Sequence, residues 1–417
     1  MTAPVRAAAL RIIAGRGAAR AAVQFAMVAL LPVWGVDEFG RYAAAIGTFF
    51  WLVLLVTAME KAALTVLPRT RLTTGRITRM LLARAAVPLA VTAAVALLLA
   101  PLGETPALYA AAAVWAAGQG LLSVLATLHR MDGRPGRDSA AFLALAGWVV
   151  IASGLAVAGL LRPYAYLLTL IAGVLLDCFV LALGIPALRG RSPRPRRRLG
   201  GLLNRRVLLL GLSDVADSCS GSVLYLVIAF AGRPADSAAL YLALLVSGAL
   251  CGLCLLLLRL RQPVTSLRLR GLGGEAGRRR AGRVAGWAAA VTGGAVALAL
   301  AGVLAAGLSN VDGLAAVGAS RLALGTAVAV EMTVFCAVLY AVNLLENTNG
   351  AALTVTSSAS LLGLATTAVA AVAAIPVLHA VGALLALVTG LAAKSGLLYL
   401  RTRPEPVTSW AGRPRAA

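Results

Sequence analysis

The chain carries too little charge for a water-soluble domain. Charged residues make up 13% of it and hydrophobic residues 60%, where a typical globular protein is about one-quarter charged. Histidine occurs twice, at His129 and His379. The apolar runs between them put the two on opposite sides of the membrane, so no histidine-based metal or acid–base site is expected. The five cysteines all fall inside apolar runs, which argues against an extracellular disulfide framework. Cys251 and Cys254 form a C-x-x-C among leucines with no second pair, a pattern better read as helix packing than as redox chemistry. A phosphate-binding Walker loop is missing, so the chain is not expected to hydrolyse ATP. A cleavable signal is not expected either, because Arg16 and Arg20 interrupt the first apolar run. Lysine is limited to Lys61 and Lys394, and every other basic residue is arginine. With so much alanine, that bias reads as a GC-rich genome.

What is abundant is apolar length. The mean hydropathy is +0.90, and a helix needs about 20 apolar residues to cross a bilayer. The runs predict twelve spans, at 14–34, 42–67, 80–101, 106–128, 140–161, 164–187, 207–230, 237–258, 284–308, 317–345, 350–375 and 379–400. They are too long and unbroken for transmembrane strands.

Arginine fills alternate gaps between these runs. Pro68–Arg79, His129–Arg137, Arg189–Arg206 and Arg259–Arg283 are dense in it, whereas the intervening gaps hold at most one each. This is the positive-inside pattern, and it predicts a multi-pass plasma-membrane protein with both termini cytoplasmic. A net charge of +23 could also suggest nucleic acid, but alternation with membrane spans excludes a continuous basic face. The basic loops suit anionic lipid headgroups instead. The gaps on the other side are too short for a surface-loop enzyme, and no enzymatic activity or cofactor is expected.

The fold class predicted is therefore all-α, with about twelve transmembrane helices in two six-helix bundles around a central cavity. Residues 1–188 form the first bundle, 189–206 a basic linker with eight arginines, 207–400 the second bundle and 401–417 a tail. The halves are weakly alike. Gly35, Tyr42 and Pro68 in the first correspond to Gly232, Tyr241 and Pro263 in the second, as in transporters built from parallel repeats.

The stretch from Gly35 through Asp37-Glu38-Phe39-Gly40-Arg41-Tyr42 to Ala63, Leu64, Pro68 and Arg69 resembles a recurrent segment. It is similar to the first external loop and second helix of polysaccharide flippases in the multidrug/oligosaccharidyl-lipid/polysaccharide exporter superfamily. Gly232–Pro263 resembles the corresponding part of that family's C-terminal half. The resemblance covers about 80 residues at the level of motif. It implies alternating-access transport of a lipid-linked oligosaccharide. Two departures are Glu60-Lys61, where many members are apolar, and a short tail after Arg401. The major-facilitator signature between spans two and three is absent from Pro68–Arg79.

Ionisable groups inside a bilayer are costly, and each is a functional candidate. In span 1, Arg16, Arg20 and Gln24 recur every four residues and share a face. Arg20 lies fourteen residues before Trp34, about 21 Å along the helix and deep in the hydrocarbon. It is expected to receive a phosphate or acidic sugar through its planar fork, helped by Arg16. In span 7, Asp214, Asp217, Gly221 and Tyr225 make an answering acidic stripe. Asp214 and Asp217 have two open roles: coupling to H+ or Na+, or a static bridge or gate facing Arg20. Asp177 in span 6 and Glu331 in span 10 are further cavity candidates. Glu60 and Lys61 point about 100° apart, so each should find a different helix. Lys394 and Arg84 lie close enough to span ends to snorkel.

The expected partners are a lipid-linked glycan, membrane lipids, H+ or Na+ and glycan-assembly proteins. A cation-coupled exporter of small amphiphilic drugs or metabolites is the second reading, and a scaffold for glycan assembly the third.

Overall fold

The computed structural model describes residues 3–67, 74–185, 197–269, 272–309, 321–348 and 350–402. These described residues form eleven α-helices: α1 Ala3–Phe49, α2 Trp51–Val66, α3 Thr74–Leu99, α4 Glu104–Met131, α5 Pro135–Val157, α6 Pro163–Leu183, α7 Arg197–Phe230, α8 Pro234–Arg268, α9 Leu272–Ser309, α10 Arg321–Glu346 and α11 Gly350–Thr402. Among the described residues, ten apolar helical stretches are long enough to cross a membrane, and two of these hold 57 and 51 residues. At 1.5 Å per residue each would reach more than twice the thickness of a bilayer core. Both fold back instead.

The first reversal is at Gly35, with φ 75° and ψ 169°, a region open essentially to glycine alone. Trp34 and Tyr42 rings lie 5.3 Å apart across it, although eight residues of straight helix would separate them by about 12 Å. The second reversal is at His379 (φ 52°), where Gly382 abuts the backbone of Ala374 and Ile375. The ten stretches therefore provide twelve crossings, and these are numbered below as spans 1–12. Span 2 comprises the second arm of α1 together with α2, and spans 11 and 12 are the two arms of α11.

Span 4 lies at the centre of the first bundle and is almost wholly buried, whereas span 3 is peripheral. Small residues explain the difference: Gly118 abuts Val174 of span 6, and Gly120 abuts Val56 of span 2. The core around them includes Leu122, Leu125, Tyr166, Leu167 and Leu170. The second bundle has one apolar cluster toward each end, around Val334 and Leu398 and around Leu224 and Leu384.

Several boundaries move. The helix of span 7 begins at Arg197, inside the predicted linker, and residues 186–196 lie outside the described set, as do 310–320 and 403–417 of the tail. Helix α8 runs to Arg268 and α9 starts at Leu272, so most of the arginine-rich gap at 259–283 is helical. Gly232 has φ 67°, positive like that of its counterpart Gly35.

Candidate functional site

The two bundles meet through spans 1 and 2 on one side and spans 7 and 8 on the other, and they touch at both ends. At the end away from the basic gaps, Gly40 abuts the backbone of Pro234, Gly47 lies under the Tyr225 ring, and Ser222 donates to the Gly47 carbonyl at 2.9 Å. Phe39 meets Tyr241 edge-on at 6.0 Å.

Toward the basic face the contact is a lattice of buried charges. The Arg16 guanidinium donates to both Asp138 oxygens (3.0 and 3.2 Å), to Thr127 (3.1 Å) and to Glu60 (3.3 Å). Glu60 also accepts from Thr127 at 2.8 Å and from Arg259, across the bundle boundary, at 2.7 Å. One residue on, Lys61 crosses with the opposite sign. Its ammonium donates to Asp214 at 2.7 Å and to Glu346 at 2.8 Å. Arg259 lies 3.9 Å from the second Asp214 oxygen, and Arg130 lies 3.9 Å from Asp138. Four cations (Arg16, Lys61, Arg130, Arg259) thus meet four anions (Glu60, Asp138, Asp214, Glu346).

Buried charges survive only when paired and hydrogen-bonded, and this set is paired through both bundles. The 100° offset between Glu60 and Lys61 accounts for the split, because it sends neighbouring side chains to different helices.

Arg20 stands apart. Among the described residues it has no hydrogen-bond or ion-pair partner, and its nearest charges, Arg16 and Arg259, share its sign. Its guanidinium lies against Gly252 of span 8, where a side chain would collide with it. The residue is exposed at the seam between the bundles, on the helix that also exposes Phe25 and Val28.

No protein-family model matches the sequence, and no curated protein matches it significantly. Solved structures do share its architecture. An inward-facing multidrug resistance MATE family transporter of the MOP superfamily superposes with a TM-score of 0.60 at 13% identity, covering 91% of this chain and 93% of that one. An outward-facing structure described in the same terms gives 0.55 at 13% identity, covering 95% and 94%. A MOP superfamily transporter from Pyrococcus furiosus, described as having a binding pocket of reversed polarity, gives 0.56 at 13%, covering 95% and 94%. The chain has the MOP transporter fold. MOP is the superfamily that the segment around Gly35 resembles, and at these identities the likeness establishes the fold alone.

Within the MOP fold, the residues singled out from the sequence separate into distinct places. Arg16 does not assist Arg20, because carboxylates of its own bundle hold it. Gln24 reaches across to the Leu245 carbonyl at 3.3 Å. Asp214 and Asp217 do not face Arg20, and each is taken by a lysine. Lys394, expected to snorkel, is 2% exposed and turns inward to Asp217. Tyr225 packs on Gly47 and Tyr241.

Glu331 lies inside the second bundle and accepts from Ser247. Asp177 lines a groove of about 510 Å³ between spans 5 and 6, away from the bundle boundary, with one carboxylate oxygen buried and unpartnered. Cys251 and Cys336 approach to 3.7 Å, yet among the described residues no group of three His, Cys, Asp or Glu is placed to hold a metal ion.

Nothing in the sequence pattern marks Asp138, Arg259 and Glu346, because they sit at span ends, where charge is ordinary in a membrane protein. Lys61 carried a usable signal: it is one of two lysines in an arginine-rich chain.

Proposed function

We propose that the protein flips a polyprenyl-diphosphate-linked oligosaccharide between leaflets by alternating access, for surface polysaccharide synthesis. On this reading the basic face is cytoplasmic, both termini lie on that side, and the membrane is the plasma membrane. The observation that carries it is Arg20, an unpaired cation at membrane depth, open at the seam where a lipid-borne headgroup can arrive from the bilayer. A diphosphate supplies the charge-assisted hydrogen bonds that Arg20 lacks. Its cost in hydrocarbon makes an idle role implausible. The ion-pair lattice then closes the cytoplasmic side after loading.

The second reading, export of amphiphilic drugs, draws support from the multidrug names of the structural neighbours. A cationic drug would meet Arg20 as a like charge, which favours the anionic lipid-linked substrate. The test is flipping of a fluorescent polyprenyl-diphosphate oligosaccharide in proteoliposomes. Arg20→Ala should reduce the rate at least about tenfold, the loss of one charge-assisted contact, with Arg20→Lys intermediate. Full activity of Arg20→Ala would refute the role.

A further inference from the structure

Cys251 and Cys254 form the C-x-x-C of span 8, and the fold brings a third thiol to them. Cys336 of span 10 places its sulfur 3.7 Å from that of Cys251, and it also contacts Cys254 three residues further along span 8. Cys251 is buried, whereas Cys254 and Cys336 are half-buried, and all are free thiols. Three of the five cysteines in the chain therefore meet in one place, with the Cys336 sulfur common to both contacts.

The number of sulfurs facing one point decides what the cluster can take. Structural zinc and iron–sulfur centres need four ligands, and among the described residues no three His, Cys, Asp or Glu converge on one position. Calcium and magnesium need oxygen. A pair of thiolates suits a soft monovalent cation instead. Two sulfurs bound to one metal at about 2.3 Å each lie at most about 4.6 Å apart. The 3.7 Å between Cys251 and Cys336 already falls within that reach.

The surrounding charges act from two sides. Glu331, which accepts from Ser247, lies within electrostatic range of Cys251 and draws a cation toward the sulfurs. On the other flank the Arg20 guanidinium lies against Gly252, the residue after Cys251, and within range of that thiol. Two thiolates on one monovalent ion carry one net negative charge. That is the counter-charge Arg20 lacks among the described residues.

We propose that Cys336 and the C-x-x-C of span 8 form a binding site for one copper(I) ion, with Cys251 and Cys336 as the ligand pair. Loading is ligand exchange with no change in oxidation state. Two S–H bonds break, two S–Cu bonds form, both protons pass to solvent, and the ion leaves the soluble ligand that delivered it. Both sulfurs belong to the second bundle, so the site rests on neither the substrate nor the alternating-access reading.

The test is competition for copper(I) against the chromophoric chelator bicinchoninate, on the purified, reduced full-length protein in detergent without oxygen. One ion per chain should transfer to the protein, with two protons released per ion in weak buffer. Cys336→Ser removes the shared sulfur and should weaken binding by more than about 100-fold, beyond the loss of an outer-shell partner. Cys336→Ala, which adds no polar atom to the apolar contact, should give the same loss and so separates it from a folding defect. Cys251→Ser leaves the Cys254–Cys336 contact and should cost less, whereas Cys251→Ser with Cys254→Ser should match Cys336→Ser. Cys178, bonded to the Gly118 carbonyl in the first bundle, is the control: Cys178→Ser should stay within about twofold of the parent.

Arg20→Ala should weaken copper binding at least about fivefold, the low end of coupling between sites. No transfer of copper to the parent protein would overturn the site, as would binding that survives Cys336→Ser. Unchanged affinity in Arg20→Ala would overturn the counter-charge.

Discussion

The Lys61 ammonium lies 2.7 Å from a carboxylate oxygen of Asp214, which belongs to the opposite bundle. Its neighbour Glu60 makes the reverse connection to Arg259 at 2.7 Å. Two consecutive residues thus fasten the bundles with opposite polarity, beside an apolar contact that sets Val207, Ala238, Tyr241 and Leu245 of the second bundle against the first.

Removing one side of this fastening strands buried charge. Lys61→Ala should destabilise the closed protein by about 3–5 kcal/mol, the usual consequence of breaking a buried pair. Adding Asp214→Asn and Glu346→Gln should recover part of the loss. Thermal melting of the variants in detergent reads both effects, and simple additivity would contradict the coupling.

At the opposite face, the closed contact depends on a missing side chain. Leucine at Gly47 would drive into the Tyr225 ring. Gly47→Leu should hold the outer ends of spans 2 and 7 apart, at about 1–3 kcal/mol of overpacking in the closed form. Spin-label distances between the outer ends should lengthen relative to the parent.

The reversal at Gly35 admits little else. A side chain at its φ and ψ costs about 1–3 kcal/mol, so Gly35→Ala should lower thermal stability by that amount. His379 already holds a positive φ, with Nδ1 3.0 Å from both Arg233 and Asp236. Arg233→Ala should loosen that turn, seen as faster hydrogen exchange around residue 379.

Arg279 and Arg283 on the basic face are exposed, Arg279 beside Glu275 at 3.1 Å, and the orientation proposed above asks of them only their charge. Arg279→Lys and Arg283→Lys should leave orientation intact and stability within about 0.5 kcal/mol. Reporter fusions and melting curves check the pair of expectations.

Much of the fold was legible because hydropathy and arginine placement act over whole segments. Twelve runs of sufficient length and a glycine at the first reversal are local properties, and so is the angular offset of Glu60 and Lys61. The partners are not local: Lys61 finds Asp214 153 positions away and Glu346 285 away. One sequence without its packing cannot reveal which helices face each other. The stripe on span 7 was therefore visible, but its aim at Arg20 was wrong. Lys394 departs from its expected position for a related reason. Its distance from Arg401 permitted snorkelling, whereas the rotation of span 12 points it at Asp217.

The two lysines have a practical consequence. With Lys61 and Lys394 at 5% and 2% exposure, the closed protein presents almost no side-chain amine to solvent. An opening that uncovers Lys61 would add one reactive side-chain amine to the α-amino group, so amine-directed labelling of Lys61 reports which state the native chain occupies.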